Sequence, residues 1–391
     1  MQHRIVVLGA GYAGAYIAGN LARSLAPTDR EITVVNAEPD FVERLRLHQV
    51  AAGQDIKRHS LTEVFRGTDI RIRLARVESV DVEAKTVALS DGELPYDTLV
   101  YALGSRVADH GVPGVVEHAF HVTSSPAAQR LREHLDGLDF GGKVLVVGEG
   151  LTGIETVTEL AESRPELQVA MAARGELGAS LSPGAQRHLR QAFDRLGIEV
   201  HEHTSIERVE QTRAIGADGT VLESDATVWA AGFAVDPIAA ASGLEVADTG
   251  QILVDREMRS VSHPDVYSAG DAVYILGDNG LPLPMSCASS GFTAKQAIEA
   301  IVGDLTGHKV STSKLPYVGN HISLGRNDAI FQLVDEVAHS KSWSVRGKSA
   351  VRIKAAILKG SIIGTLHPTF GMPKRKHRLQ TSSKTTEAIA A

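Results

Sequence analysis

RIVVLGAGYAG, residues 4–14, is the stretch on which the reading of this chain turns. Arg4 to Leu8 is a short apolar, β-branched run. Gly9, Gly11 and Gly14 follow as Gly-x-Gly-x-x-Gly, enclosing Tyr12 and Ala13. Ile17, Leu21 and Leu25 then recur at helical spacing. Strand, glycine turn and helix in this order suit a dinucleotide. The first glycine allows the tight turn, the second lets backbone approach a pyrophosphate, and the third lets helix pack on strand, with the phosphates at the helix N-terminus. A second strand, ITVVN, closes at Asn36 with Glu38 two residues on, which supplies a polar ribose-binding position.

The pattern repeats. KVLVVGEGLTG, residues 143–153, places Gly148, Gly150 and Gly153 after a second apolar run, and Ile154, Val157 and Leu160 lead into the strand LQVAMA. Each copy has a later strand, in LPYDTLVYALGS at 94–105 and in LESDATVWAAGF at 222–233, reaching Gly104 and Gly232. Two copies imply an α/β chain with two Rossmann-like dinucleotide-binding domains.

A length of 391 residues suits two or three domains. The net charge of −7 argues against a general nucleic-acid binder. Cys287 is the single cysteine, so no internal disulfide and no CxxC relay is available. No metal-ligand spacing occurs, and no metal is expected. The apolar run near the N-terminus is too short for a signal peptide, and no run approaches the roughly 18 residues of a membrane span. A cytoplasmic protein is expected.

With a third motif, VYSAGDA, the chain resembles the two-dinucleotide-domain flavoproteins of the pyridine nucleotide-disulfide oxidoreductase superfamily, over about residues 3–335. It is most similar to type II NADH dehydrogenases and related sulfide:quinone reductases. The resemblance implies that the first copy binds the ADP half of FAD and that Gly270 and Asp271 meet the flavin ribityl chain. It also implies that the second copy, inserted in the first, binds NADPH or NADH. The spans are then 1–115 and 245–311 for the FAD domain, 116–244 for the NAD(P)H domain, and 312–378 for an acceptor or membrane-association segment.

Type II dehydrogenases close the strand matching VAMAA with an acid, where this chain has Ala173 followed by Arg174. Loss of the carboxylate removes repulsion toward a 2′-phosphate, and an arginine fork can grip one, so NADPH is the expected donor. Glu155, two residues after Gly153, matches a family glutamate that points toward nicotinamide and flavin. In PDFVERLRLHQVAAG, residues 39–53, Arg44, Arg46 and His48 are candidates for stabilising negative charge near the flavin ring. The family's glutamine-bearing quinone motif is absent from PMSCASSGFTAKQAIEAI, residues 284–301, where a helix is expected from Thr293 onward.

Lys341 to Arg378 carries ten Lys and Arg and no Asp or Glu. Within it Val351, Ala355, Leu358 and Ile362 share a helical face edged by Lys348, Arg352 and Lys359. Such a face fits either peripheral contact with an anionic membrane or packing on the FAD domain. Residues 379–391 read as a disordered tail.

The expected function is hydride transfer from NAD(P)H to flavin and then electron transfer to a quinone-like or other small-molecule acceptor. Alternatives are a flavin-binding redox sensor of the apoptosis-inducing-factor type, or a reductase of a small iron–sulfur protein. A homodimer is a candidate assembly.

Overall fold

The computed structural model describes residues 2–312, 314–335, 339–367 and 376–380. The first sheet has five parallel strands in the order Val266–Ser268, Thr98–Tyr101, His3–Leu8, Arg30–Asn36 and Arg71–Leu74. The second has four, in the order Glu199–His201, Gln168–Ala172, Lys143–Val147 and Ala226–Trp229, also parallel. In both sheets the strand entering a glycine turn lies between its successor and the later return strand. Strand order reverses there, at the crevice where open α/β sheets take ligands. Ile5 to Leu8 and Val144 to Val147 are buried throughout, as strands covered on both faces must be.

The repeat extends beyond the glycine turns. A three-stranded antiparallel sheet precedes each return strand: Val77–Asp81, Thr86–Leu89 and Gly92–Pro95 in the first unit, Ile206–Glu210, Arg213–Gly216 and Val221–Glu223 in the second. The chain crosses between units twice, and the crossings pair with each other as antiparallel strands, Arg106–Val107 with Phe233–Ala234. Val115 packs with Leu145, Val147 and Trp229 of the second unit, while Ala239 and Leu244 pack with Val6 and Leu8 of the first. These residues lie just outside the spans read from sequence, because each joins the core on the far side of a crossing.

The helix expected from Thr293 runs Cys287–Thr306. It starts six residues early because Ser286 Oγ accepts from the Ser289 N–H at 3.2 Å and caps it. This helix packs on Tyr12–Ser24. An antiparallel sheet, Gly319–Ser323, Ala329–Val334 and Ser340–Arg346, follows, and the helix Lys348–Leu366 lies on it and on Tyr12–Ser24. No helix of the described residues is long and apolar enough to cross a membrane. Of the expected tail, Leu379 and Gln380 are held in place: their amides donate to Asp29 Oδ2 at 3.2 Å and to the Leu305 carbonyl at 2.9 Å. Residues 381–391 lie outside the described residues.

Candidate active site

The glycines of each turn divide by what surrounds them. A Cβ on Gly9 would strike the Ala102 carbonyl, and one on Gly14 would strike the Gly9 carbonyl. In the second turn Gly148 and Gly153 are pressed in the same way against the carbonyls of Ala230 and Gly148. By contrast, nothing lies within 4 Å of a Cβ on Gly11 or Gly150. The outer glycines are therefore demanded by packing and the middle one leaves space for a ligand. The helices that follow, Tyr12–Ser24 and Leu151–Ser163, have no side-chain cap and no acid in their first turns. Serines cap four other helices, at Ser60, Ser124, Ser182 and Ser286. Open space beside unpaired N–H groups fits a pyrophosphate in both units.

Around the first turn, Asn36 Oδ1 accepts from the Ala10 N–H at 2.9 Å and Nδ2 donates to the Glu38 carbonyl at 2.7 Å. Asn36 thus braces the loop, and Glu38 beside it is exposed. Tyr12 stacks edge-on to Phe41 at 5.1 Å with its hydroxyl buried, and burial raises the phenol above its usual range.

A cavity of about 970 Å³ opens between the second unit, the paired crossings and the C-terminal sheet and helix. Of the residues singled out in the sequence, it gathers Arg44, His48, Gly148, Gly150, Glu155, Arg174, Gly232 and Asp271. Arg46 is not among its walls: its guanidinium pairs with Glu43 at 3.3 Å and Gln49 at 2.8 Å. The remaining first-unit residues, Gly9 to Gly14, Asn36, Glu38, Gly104 and Gly270, lie outside this cavity as well.

At one wall Arg44 donates to the Ser105 carbonyl at 2.8 Å and to Ser105 Oγ at 3.0 Å, and Ser105 Oγ donates to Asp271 Oδ2 at 2.7 Å. The guanidinium also lies 3.7 Å from Asp271 and 5.0 Å from the Phe233 ring centre. Arg44 is thereby tied to the aspartate that the ribityl chain would meet. Cys287 lines the same cavity, and burial pushes its thiol up to about 12, which suppresses thiolate chemistry at neutral pH.

Also lining the cavity, Glu155 Oε1 accepts from the Ser323 N–H at 2.9 Å and from the Lys354 ammonium. Lys354 is buried, and burial draws it down to about 7. His48 is buried beside them, its Nε2 without a partner, and is held down to about 3 by burial and then by Lys354 and Arg46. His321, another cavity residue, is also lowered by burial and has a free Nδ1. Lys354, His321 and Ser105 escaped the sequence reading. Lys354 had one signal: it stands three residues after Val351 and four before Leu358, inside the apolar stripe.

The residue expected to contact the adenine ribose of the second nucleotide, Ala173, is fully buried. The Glu149 carboxylate instead sits over the strand end, accepting from the amides of Arg174 and Gly175 at 3.2 Å each.

Two dinucleotide turns, the second opening on a cavity that Asp271 also lines, fit an FAD- and nicotinamide-nucleotide-dependent oxidoreductase. The family model for pyridine nucleotide-disulphide oxidoreductases matches residues 3–298, and the chain belongs to that family. An NADH dehydrogenase-like protein of Mycobacterium tuberculosis is 28% identical over 84% of this chain and 87% of its own length. A type II NADH:quinone oxidoreductase of Staphylococcus aureus is 25% identical over 91% of this chain and 94% of its own. Among solved structures, NDH2 from Plasmodium falciparum in complex with NADH superimposes with a TM-score of 0.77 at 13% identity, over 96% and 99% of the two chains.

Proposed function

We propose that the protein oxidises a nicotinamide nucleotide and reduces a quinone-like small molecule in the cavity between the second unit and the C-terminal helix. Buried Lys354 and His48, together with the half-buried Glu155 that Lys354 contacts, line this cavity and carry this reading. Bound FAD would supply the hydride and electron transfer chemistry. The first glycine turn, Glu38 and Asp271 would hold it, and the second turn would hold the nicotinamide nucleotide.

Reduction of a quinone consumes protons as well as electrons. Lys354, drawn down to about 7, can exchange a proton at neutral pH, and Glu155 holds it in position. His48 stays neutral there, so its free Nε2 can accept a hydrogen bond, and the ring can relay a proton by tautomer exchange without becoming charged. The staphylococcal relative is named for a quinone acceptor, which supports the same class here. In the sequence Ala173 and Arg174 speak for NADPH, and the Glu149 carboxylate beside them speaks against it.

Peripheral membrane contact is part of the proposal. Trp343, Ile357 and Ile363 are exposed on the C-terminal sheet and helix, accompanied by exposed Lys341, Lys348, Arg352 and Lys359.

Anaerobic titration of the FAD-loaded protein with NADH and NADPH, followed by reoxidation with a short-chain quinone, ferricyanide or oxygen, tests the reading. Flavin bleaching followed by fast reoxidation by quinone is expected. A protein that takes up no FAD, or whose reduced form reacts with quinone no faster than with oxygen, refutes it.

A further inference from the structure

The missing acid of the second unit is supplied from a different loop. Ala173, at the end of Gln168–Ala172, is sealed in the sheet: its N–H donates to the His201 carbonyl and its carbonyl accepts from the Thr204 N–H, both at 2.9 Å. The Ala173 methyl is buried and is not among the cavity walls. The next two amides, of Arg174 and Gly175, point at Glu149, the residue between the first two glycines of the turn. Both Glu149 and Arg174 face the cavity.

We propose that Glu149 is the residue that determines nucleotide choice, accepting hydrogen bonds from the adenine-side ribose hydroxyls and selecting NADH over NADPH. The inference rests on a nicotinamide nucleotide occupying the second turn. Backbone amides just past this strand are the donors a 2′-phosphate would need, and a carboxylate already takes both. Phosphate entry would bring two anions together and strip the amides of their partner. Other acids near the strand end are committed elsewhere, since Glu176 and Glu202 both pair with Arg190, at 3.2 and 2.7 Å. Glu149 makes no ion pair among the described residues, so its charge stays available to the ribose. Arg174 is exposed beside it, and its backbone amide serves the carboxylate while its side chain stays in solvent.

The test titrates 5′-ADP and adenosine 2′,5′-bisphosphate, which carry equal numbers of phosphates, into FAD-loaded wild type and Glu149→Gln by calorimetry. Flavin reduction by NADH and NADPH is measured alongside. Wild type should prefer 5′-ADP and NADH. Glu149→Gln should move both preferences toward the 2′-phosphorylated compound by about tenfold, the worth of one charge-assisted hydrogen bond, at unchanged FAD content. A wild type that binds the 2′,5′-bisphosphate more tightly, or a variant that weakens both ligands equally, overturns the proposal. Correct binding preferences without flavin reduction by either nucleotide would leave this proposal standing and sink the oxidoreductase reading instead.

Discussion

Lys354, on the C-terminal helix, donates to the carboxylate of Glu155, 199 residues earlier on the helix that opens the second nucleotide turn. The contact locks the C-terminal element onto the nicotinamide unit and puts a cation and an anion on a mainly apolar wall. Such a pair is costly to break from one side, because the survivor is left buried and unmatched. Lys354→Met and Glu155→Met should each lower stability by about 3 kcal/mol, and the double replacement should cost less than their sum. Urea unfolding of the four proteins measures the coupling, and simple additivity would mean that the pair is not formed in solution. Glu155→Gln, which keeps the Ser323 contact, should retain FAD and slow its reduction.

The two kinds of glycine in the second turn make separable predictions. Gly153→Ala forces a methyl into the Gly148 carbonyl and should destabilise the fold by about 1–3 kcal/mol. Gly150→Ala meets no protein atom, and Gly150 already has an ordinary extended backbone, so the fold should be unaffected. Its methyl would enter the pyrophosphate space, and KM for the nicotinamide nucleotide should rise while the melting temperature stays put. Equal melting shifts in the two variants would contradict this division.

The same glycines explain why so much of the architecture was legible. Their spacing encodes contacts made within a single strand, turn and helix, and the buried runs Ile5–Leu8 and Val144–Val147 carry the strand signal directly. Lys354 and Glu149 were harder to place because their roles are set by other segments. A lysine on an amphipathic helix reads as solvated until the helix is laid over Glu155. Aligning strand ends pointed to Ala173, whereas the carboxylate that takes the Gly175 amide comes from 26 residues before that glycine. Arg44, expected to act on the flavin ring, was found fastened to Ser105 and Asp271, partners 61 residues or more away.

His48 gives a pH prediction with a defined sign. Its folded value, about 3, lies below the ordinary 6.5, so between those limits the unfolded chain holds a proton that the folded chain does not. Stability therefore rises with pH across this window and is lost as pH falls from 6.5 toward 3. At pH 5 the loss due to His48 is about 2 kcal/mol. His48→Gln should flatten the fall in urea midpoint between pH 7 and pH 5. An unchanged slope would show that His48 is protonated in the folded protein or is solvated.

The C-terminal helix buries one face against the body and leaves another in solvent. Its Ala350, Lys354, Thr365 and Leu366 are buried against the body, yet Ile357 and Ile363 remain 36% and 39% exposed, with Arg352 and Lys359 in solvent. Deleting the helix would remove Lys354 and damage the fold, so membrane contact must be tested with point changes that leave the buried face alone. Ile363→Glu and Lys359→Glu replace, respectively, an apolar contact and a cation that an anionic surface would attract, worth about 1 kcal/mol for the charge. Both should reduce sedimentation with phosphatidylserine-containing vesicles several-fold, and the Lys359 effect alone should vanish with neutral vesicles or high salt. Sedimentation that is absent in the wild type, or indifferent to both changes, would assign the exposed isoleucines no part in membrane contact.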